Sequence, residues 1–283
     1  MKNYIIVVLI VLLAGVGLYF WLQQSSETTM VDPDNSALPA GSNDVPAPRP
    51  SDSDEVGDES DGEVSEPETE TVIGTSAGGD SITAYHYGEG DTNLLFVGGV
   101  HAGYSPNTVS VAREMMQYFE TTPEAIPDGV RVTVIPELNP DSAEATNPRA
   151  VGGRLNANQV DLNRNFDCQW QAEGVWQSTP VSGGASAFSE PEAKALRDYV
   201  AVNTPDAAVV YYSSAGGVFA SSCNNGVSAE TRNLTNVYAE ASGYQAFEEF
   251  DFYEITGDLV NWLAKEGVPA VSVLLSDHTS VEW

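Results

Sequence analysis

Positive charge is what this chain has least of: 11 lysines and arginines stand against 41 acids in 283 residues, a formal net charge of −30. The deficit is not confined to one tail. Residues 23–70 hold 14 of the acids with Arg49 as their single base, and residues 71–283 still carry 27 acids against 9 bases. That balance argues against nucleic acid or an anionic membrane surface as a partner, because both demand a positive face. Lys194 and Lys265 are the only lysines beyond residue 70, which is expected of a surface adapted to high salt. Histidine is scarce as well, with only His86, His101 and His278 available to any imidazole-based metal site. Cysteine is limited to Cys168 and Cys223, an even count that in an extracytoplasmic domain suggests one disulfide and otherwise leaves two buried thiols. No internal repeat is present.

A long, predominantly apolar run occurs once, near the start. Residues 5–22 are eighteen apolar or uncharged positions, enough to cross a bilayer as one helix. A cleaved signal peptide is the rival reading. No small-x-small cleavage pattern follows, and Tyr19, Phe20 and Trp21 resemble an interfacial aromatic belt. The run is therefore expected to be an uncleaved anchor. Lys2 and the amino terminus keep residues 1–4 in the cytoplasm, which places everything after Leu22 outside. Residues 23–70 are Ser, Asp, Glu, Pro, Thr and Gly with few aliphatics. Such a segment cannot bury enough apolar surface to offset its ordering entropy and is expected to be a disordered, self-repelling spacer; an acidic binding tail is the alternative.

Residues 71–283 are long enough for one domain with a sizeable core. Leu94–Val100, Val130–Ile135, Ala207–Tyr212 and Val268–Leu275 are short continuous apolar runs, the pattern of strands buried on both faces. His86 precedes the first of them, on a strand or hairpin. Helical patterns separate the runs. Val109–Phe119 has helical apolar spacing, Ser189-Glu190-Pro191-Glu192 reads as a capping box before Ala193–Val202, and Ser228–Ala241 forms a third helix. Thr256 is the expected cap of a fourth, which ends at Gly267. Strands alternating with helices predict an α/β sheet covered on both faces, with ligands at the carboxyl ends of the strands, where His101 falls.

The densest stretch is Gly153-Arg154-Leu155-Asn156-Ala157-Asn158-Gln159-Val160-Asp161-Leu162-Asn163-Arg164-Asn165-Phe166. Two guanidinium groups among four carboxamides make a multi-donor surface suited to a carboxylate or a polarised carbonyl. Read from the residues alone, an Asn-rich turn with surface ion pairs fits equally well.

This stretch resembles the signature of the zinc carboxypeptidases, the carboxypeptidase A and T group. Gly98-Gly99-Val100-His101, Pro136 to Asp141, Phe188-Ser189-Glu190-Pro191-Glu192 and Gly257-Asp258 through Val271 are similar to further family stretches in the same order. The resemblance implies a zinc-carboxypeptidase-like mixed central sheet with helices on both faces. It also implies that Asn163 and Arg164 clamp a terminal carboxylate and that Arg154 polarises the scissile carbonyl. Zinc is held in this family by two histidines and a glutamate, with a further glutamate as general base.

Here the sequence departs from its family. His101 stands as the first ligand, but Tyr104 or Ser105 occupies the expected glutamate position, Tyr212 or Ser213 the second histidine and Leu274 the general base. A single imidazole does not retain zinc, so no cofactor is expected unless a site is rebuilt, for instance from His101, His278 and a carboxylate. The expectation is a membrane-anchored pseudoenzyme that binds secreted or cell-wall peptides by their carboxylates. The alternatives are an active metallocarboxypeptidase with a rebuilt metal site and a structural module.

Overall fold

The computed structural model describes residues 69–283, so the expected anchor at 5–22 and most of the acidic spacer at 23–70 lie outside the described residues. No helix among the described residues is long and apolar enough to cross a membrane.

Among the described residues ten strands form: β1 Glu70–Thr75, β2 Ser81–Tyr87, β3 Thr92–Val97, β4 Val130–Ile135, β5 Glu173–Trp176, β6 Thr179–Ser182, β7 Ala207–Ser213, β8 Gly217–Ala220, β9 Gln245–Phe247 and β10 Ala270–Leu275. Four α-helices accompany them: α1 Pro106–Thr121, α2 Pro191–Val202, α3 Ala229–Ser242 and α4 Leu259–Lys265. Eight strands make one sheet in the order β1-β2-β4-β3-β7-β10-β8-β9, and β5 with β6 forms a separate hairpin. The centre β4-β3-β7-β10 is parallel. Antiparallel pairings of β2 with β4 and of β8 with β10 make the sheet mixed.

The four apolar runs became the four central strands because both of their faces are covered. Along β3, Leu95 and Val97 enter a core shared with α2 and α4, whereas Leu94 and Phe96 enter the core under α1 and α3. Each such side chain contributes roughly 1.5–3 kcal/mol by leaving water. His86 lies on β2, as its place before the first core strand predicts. The outer strands β1, β8 and β9 are three to six residues long and lie outside the apolar runs read from the sequence.

Helix starts differ in detail from expectation. The first residue flanking α2 is Glu190, whose side chain makes no cap, and the Ser189 hydroxyl donates to the Glu190 carboxylate instead of accepting from the backbone. Pro191 still opens the helix, as its missing N–H favours. Helix α4 is capped by Asp258, which accepts from the Asn261 N–H at 2.9 Å, and not by Thr256. Gly257 between them has φ of 62°, a left-handed turn that separates Thr256 from the helix. Ser228, read from the sequence as the first residue of the third helix, is its cap instead and accepts from the Thr231 N–H at 3.0 Å.

The turn after β3 brings the site together. Gly98 lies so close to its neighbours that a Cβ would meet the carbonyls of Thr108 and Pro136 at 2.6 and 2.7 Å, which lets the chain turn sharply and present His101 at the strand end.

Candidate functional site

Asp161 is the hub of the site. It is fully buried, and its Oδ1 accepts the Asn163 N–H at 3.0 Å, so the carboxylate caps the short turn Leu162–Arg164. The same Oδ1 lies 2.9 Å from His101 Nε2, and Oδ2 accepts from Arg154 Nε at 2.9 Å. Burial pushes the Asp161 carboxyl upward, but Arg154 and His101 together outweigh it and hold the group well below the usual carboxylate range. His101 is pulled down to about 4 by burial and by the Arg154 cation, against the pull of Asp161. At neutral pH the imidazole is therefore neutral. An ionised carboxylate only accepts, so Nε2 carries the proton and Nδ1 is left as the lone pair.

The structure separates the paired alternatives of the sequence. Tyr212, at the end of β7, faces His101 with ring centroids 5.9 Å apart, while the Ser213 hydroxyl turns to Asn107 Oδ1 at 3.0 Å. Of the two, Tyr212 is thus the side chain that lies against His101. Leu274 stands beside it on β10, in register with Tyr212. Tyr104 packs edge-on against His278 at 4.4 Å and Trp176 at 4.9 Å, whereas Ser105 is buried in the turn entering α1. His86 sits between the hydroxyls of Thr71 and Thr133 at 3.0 and 3.2 Å, as a core histidine.

Among the described residues no group of three His, Cys, Asp or Glu side chains is placed to hold a metal ion. The groups shown against His101 do not fit zinc: the Tyr212 phenol and the Asp161 carboxylate, which is already bound to Arg154, supply neither a second imidazole nor a free carboxylate. His278 is not drawn into a site with His101 and instead lies against Tyr104 and the Ser214 hydroxyl.

Asn163 and Arg164 are engaged inward. The Asn163 Oδ1 accepts from the Tyr212 hydroxyl at 2.8 Å and the Leu259 N–H at 3.2 Å, and its Nδ2 donates to Asp258 at 2.9 Å. Burial raises the Asp258 carboxyl despite these donors. Arg164 is fully buried; its Nε and Nη2 donate to the Val175 carbonyl at 3.2 and 2.6 Å, and Nη1 to the Asn163 carbonyl at 2.7 Å. Arg154 differs. Only its Nε is bonded, to Asp161, and its guanidinium lies 5.0 Å from the Trp176 ring, with the Nη groups making no hydrogen bond to the described residues.

These residues border a cavity of about 300 Å³ whose walls include His101, Arg154, Asn163, Tyr212, Tyr253 and Leu274. Cys168 and Cys223 form the expected disulfide, and beside it the Gln169 carboxamide donates to Asn224 at 2.9 Å, closing one wall. Asp161, Tyr253 and Asp258 are site residues that the sequence reading does not single out. Asp161 stands inside the motif itself, and its place between two basic groups is the signal that could find it.

Over residues 58–270 the chain matches the family profile described as zinc carboxypeptidase. It belongs to that family. No curated protein matches it. Among solved structures, this zinc-carboxypeptidase domain is similar to the murein-tripeptide amidase MpaA from Escherichia coli O157, at 20% identity and a TM-score of 0.58, over 77% of this chain and 87% of that one. It is similar to bovine thrombin-activatable fibrinolysis inhibitor in complex with tick carboxypeptidase inhibitor, at 17% identity and a TM-score of 0.62, over 75% and 80% of the two chains. It also resembles carboxypeptidase A from Helicoverpa armigera at 18% identity and a TM-score of 0.59, covering 76% of this chain and 61% of the insect one. At these identities the shared property is the fold.

Proposed function

We propose that this family member is a membrane-anchored, extracytoplasmic receptor that binds the terminal carboxylate of a peptide-like ligand and does not cut it. The observation that carries the reading is Arg154. It is 4% exposed, fixed at Nε by Asp161, and has its Nη groups free at the wall of the cavity. A guanidinium immobilised in this way is preorganised for a carboxylate, with little further entropy to lose. Asn163 lines the same cavity, while Arg164 is turned inward onto the Val175 and Asn163 carbonyls. The positions that the family uses for chemistry are read as Tyr104 or Ser105, Tyr212 or Ser213, and Leu274, and none of these side chains is a usual zinc ligand or a carboxylate base.

The MpaA relative is named for a murein tripeptide, and this supports cell-wall peptides beside secreted peptides as the ligand class. The apolar run at 5–22 supports the anchor, the acidic stretch at 23–70 supports a spacer, and the acidic domain supports the absence of nucleic acid among its partners. Hydrolysis is the second reading, favoured by the retained His101–Asp161 pair with its available Nδ1.

The test is calorimetric titration of the full chain with a tripeptide and with its C-terminal amide, followed by mass analysis of the peptide. Binding of the acid alone, with the peptide intact, is expected. Shortened peptide that appears only with added zinc would replace this reading with hydrolysis. Equal binding of acid and amide would remove Arg154 from the carboxylate role.

A further inference from the structure

Ala220 to Asn225 is a partition between two cavities. Ala220, Ser222 and Asn224 border the cavity that Arg154 lines, and the alternate residues Ser221, Cys223 and Asn225 border a second one of about 680 Å³ at the amino ends of β7 and β10. Side chains of an extended segment point alternately to opposite sides, so one strip of chain serves both. The partition is held firmly as far as Asn224. The Ser221 hydroxyl donates to the Ala270 carbonyl at 2.7 Å, the Ser222 N–H donates to Asn261 at 3.0 Å, and Cys223 is tied to Cys168. Both ends of the Asn224 carboxamide are bonded, to Gln169 and to the Cys223 sulfur.

One residue on, the constraint ends. Asn225 is exposed, its carboxamide makes no hydrogen bond to the described residues, and only its N–H is engaged, by the Cys223 carbonyl at 2.8 Å. Gly226 follows with φ of 73°, also exposed, and its N–H makes no hydrogen bond to the described residues. Nothing lies within 4 Å of the place a Cβ on Gly226 would take. Asn225-Gly226 is the only asparagine–glycine pair in the chain. The main-chain nitrogen after an asparagine can close a small ring, a succinimide, onto the asparagine Cγ, and a side chain on that next residue hinders the approach. Glycine has none.

We propose that Asn225 is a site of self-modification, converted in the folded protein to aspartate and isoaspartate. The Gly226 nitrogen gives up its proton and bonds to Asn225 Cγ; the Cγ–Nδ2 bond breaks, and Nδ2 leaves with that proton as ammonia. Water then opens the succinimide at one of its two C–N bonds. Opening at Cγ gives aspartate, and opening at the main-chain carbonyl gives isoaspartate, whose backbone passes through Cβ. The net change is amide plus water to carboxylate plus ammonium, so water is the only co-reactant. Either product places a new carboxylate on the second cavity, where Asp206, Glu230 and Glu266 already stand and no lysine, arginine or histidine lines the wall. Isoaspartate also lengthens the main chain between the Cys223 tether and Ser228, the cap of α3. Both changes act against the partition, the first through repulsion between like charges.

The experiment is incubation of the full chain at mildly alkaline pH, with peptide mapping by mass spectrometry and enzymatic methyl labelling of isoaspartate. The amide-to-acid mass change is expected at Asn225 ahead of the other asparagines, with isoaspartate among the products. Asn225→Gln, whose longer side chain would have to close a larger ring, should stay unlabelled, and Gly226→Ala should slow conversion about tenfold. Both positions are exposed, and circular dichroism and melting curves check that the variants fold. An Asn225 that stays intact in the folded chain but converts in urea would overturn the proposal, since the fold would then hold Cγ and the nitrogen apart. Earlier conversion at another asparagine would overturn the choice of site, and aspartate formed without isoaspartate would overturn the ring closure.

Discussion

The Tyr212 hydroxyl donates to Asn163 Oδ1 across 2.8 Å, and this bond ties the side chain that lies against His101 to one member of the expected carboxylate clamp. Burial and the neighbouring Asp258 keep the phenol protonated far above neutral pH, so it remains a donor. Asn163 is then held from two sides, by Tyr212 at its oxygen and by Asp258 at its nitrogen.

Tyr212→Phe keeps the ring against His101 and deletes only this donor. Because Asn163 Oδ1 retains the Leu259 N–H, a loss of about 1 kcal/mol in urea unfolding is expected. Unchanged stability would show that the bond contributes nothing beyond what water supplies.

The charge hub makes stability pH-dependent in two windows. The folded value of His101, about 4, lies below its ordinary 6.5, so the unfolded chain binds the proton more readily. Stability is full above pH 6.5 and falls as pH drops from there toward 4, with a slope from this residue on the order of 1.4 kcal/mol per pH unit. Asp161 acts lower: its folded value is depressed, so its contribution is present above the ordinary value of 3.8 and is lost as pH falls through the folded one. Denaturant melts between pH 7 and pH 5 check the first window; His86, also held down to about 4 by burial, contributes there too, so His101→Phe should reduce the slope without abolishing it. A wild-type profile with no slope there would contradict the neutral, buried imidazole.

Asp161→Asn removes the carboxylate shared by Arg154 and His101. Leaving Arg154 buried without its partner is expected to cost about 3–5 kcal/mol. Thermal melting of the two proteins measures it; a change below about 1 kcal/mol would mean that Arg154 finds water or another acceptor once released.

Reduction of Cys168–Cys223, or Cys168→Ser with Cys223→Ser, opens a link spanning 55 residues. The chain-entropy relation gives about 4 kcal/mol for a loop of that size, read as a lower melting temperature in reductant. Identical melts with and without reductant would show that packing alone holds the two loops.

Elemental analysis of the full chain after dialysis against trace zinc should find none retained, and a chelator should leave peptide binding unchanged. Near-stoichiometric zinc would mean that a ligand set assembles around His101 in solution and would promote hydrolysis to the first reading.

Much of the domain was legible in the linear sequence. Continuous apolar runs marked the four strands that are covered on both sides, and the helical stretch Ser228–Ala241 marked α3, because these depend on residues near one another in the chain. The fourteen-residue motif announced the family for the same reason. Tertiary structure alone decided the rest. Whether Tyr212 or Ser213 faces His101 turns on a single residue of register, since successive side chains on a strand point to opposite faces, and that register is fixed by the pairing of β7 with β10. Only folding could show that Asp161 joins His101 to Arg154, sixty residues and seven residues away in the chain, that Arg164 spends its donors on the Val175 and Asn163 carbonyls, and that Arg154, unlike Arg164, makes no Nη hydrogen bond to the described residues. The sequence by itself determined which groups are present; which of them are already satisfied by one another depends on contacts that chain order does not encode.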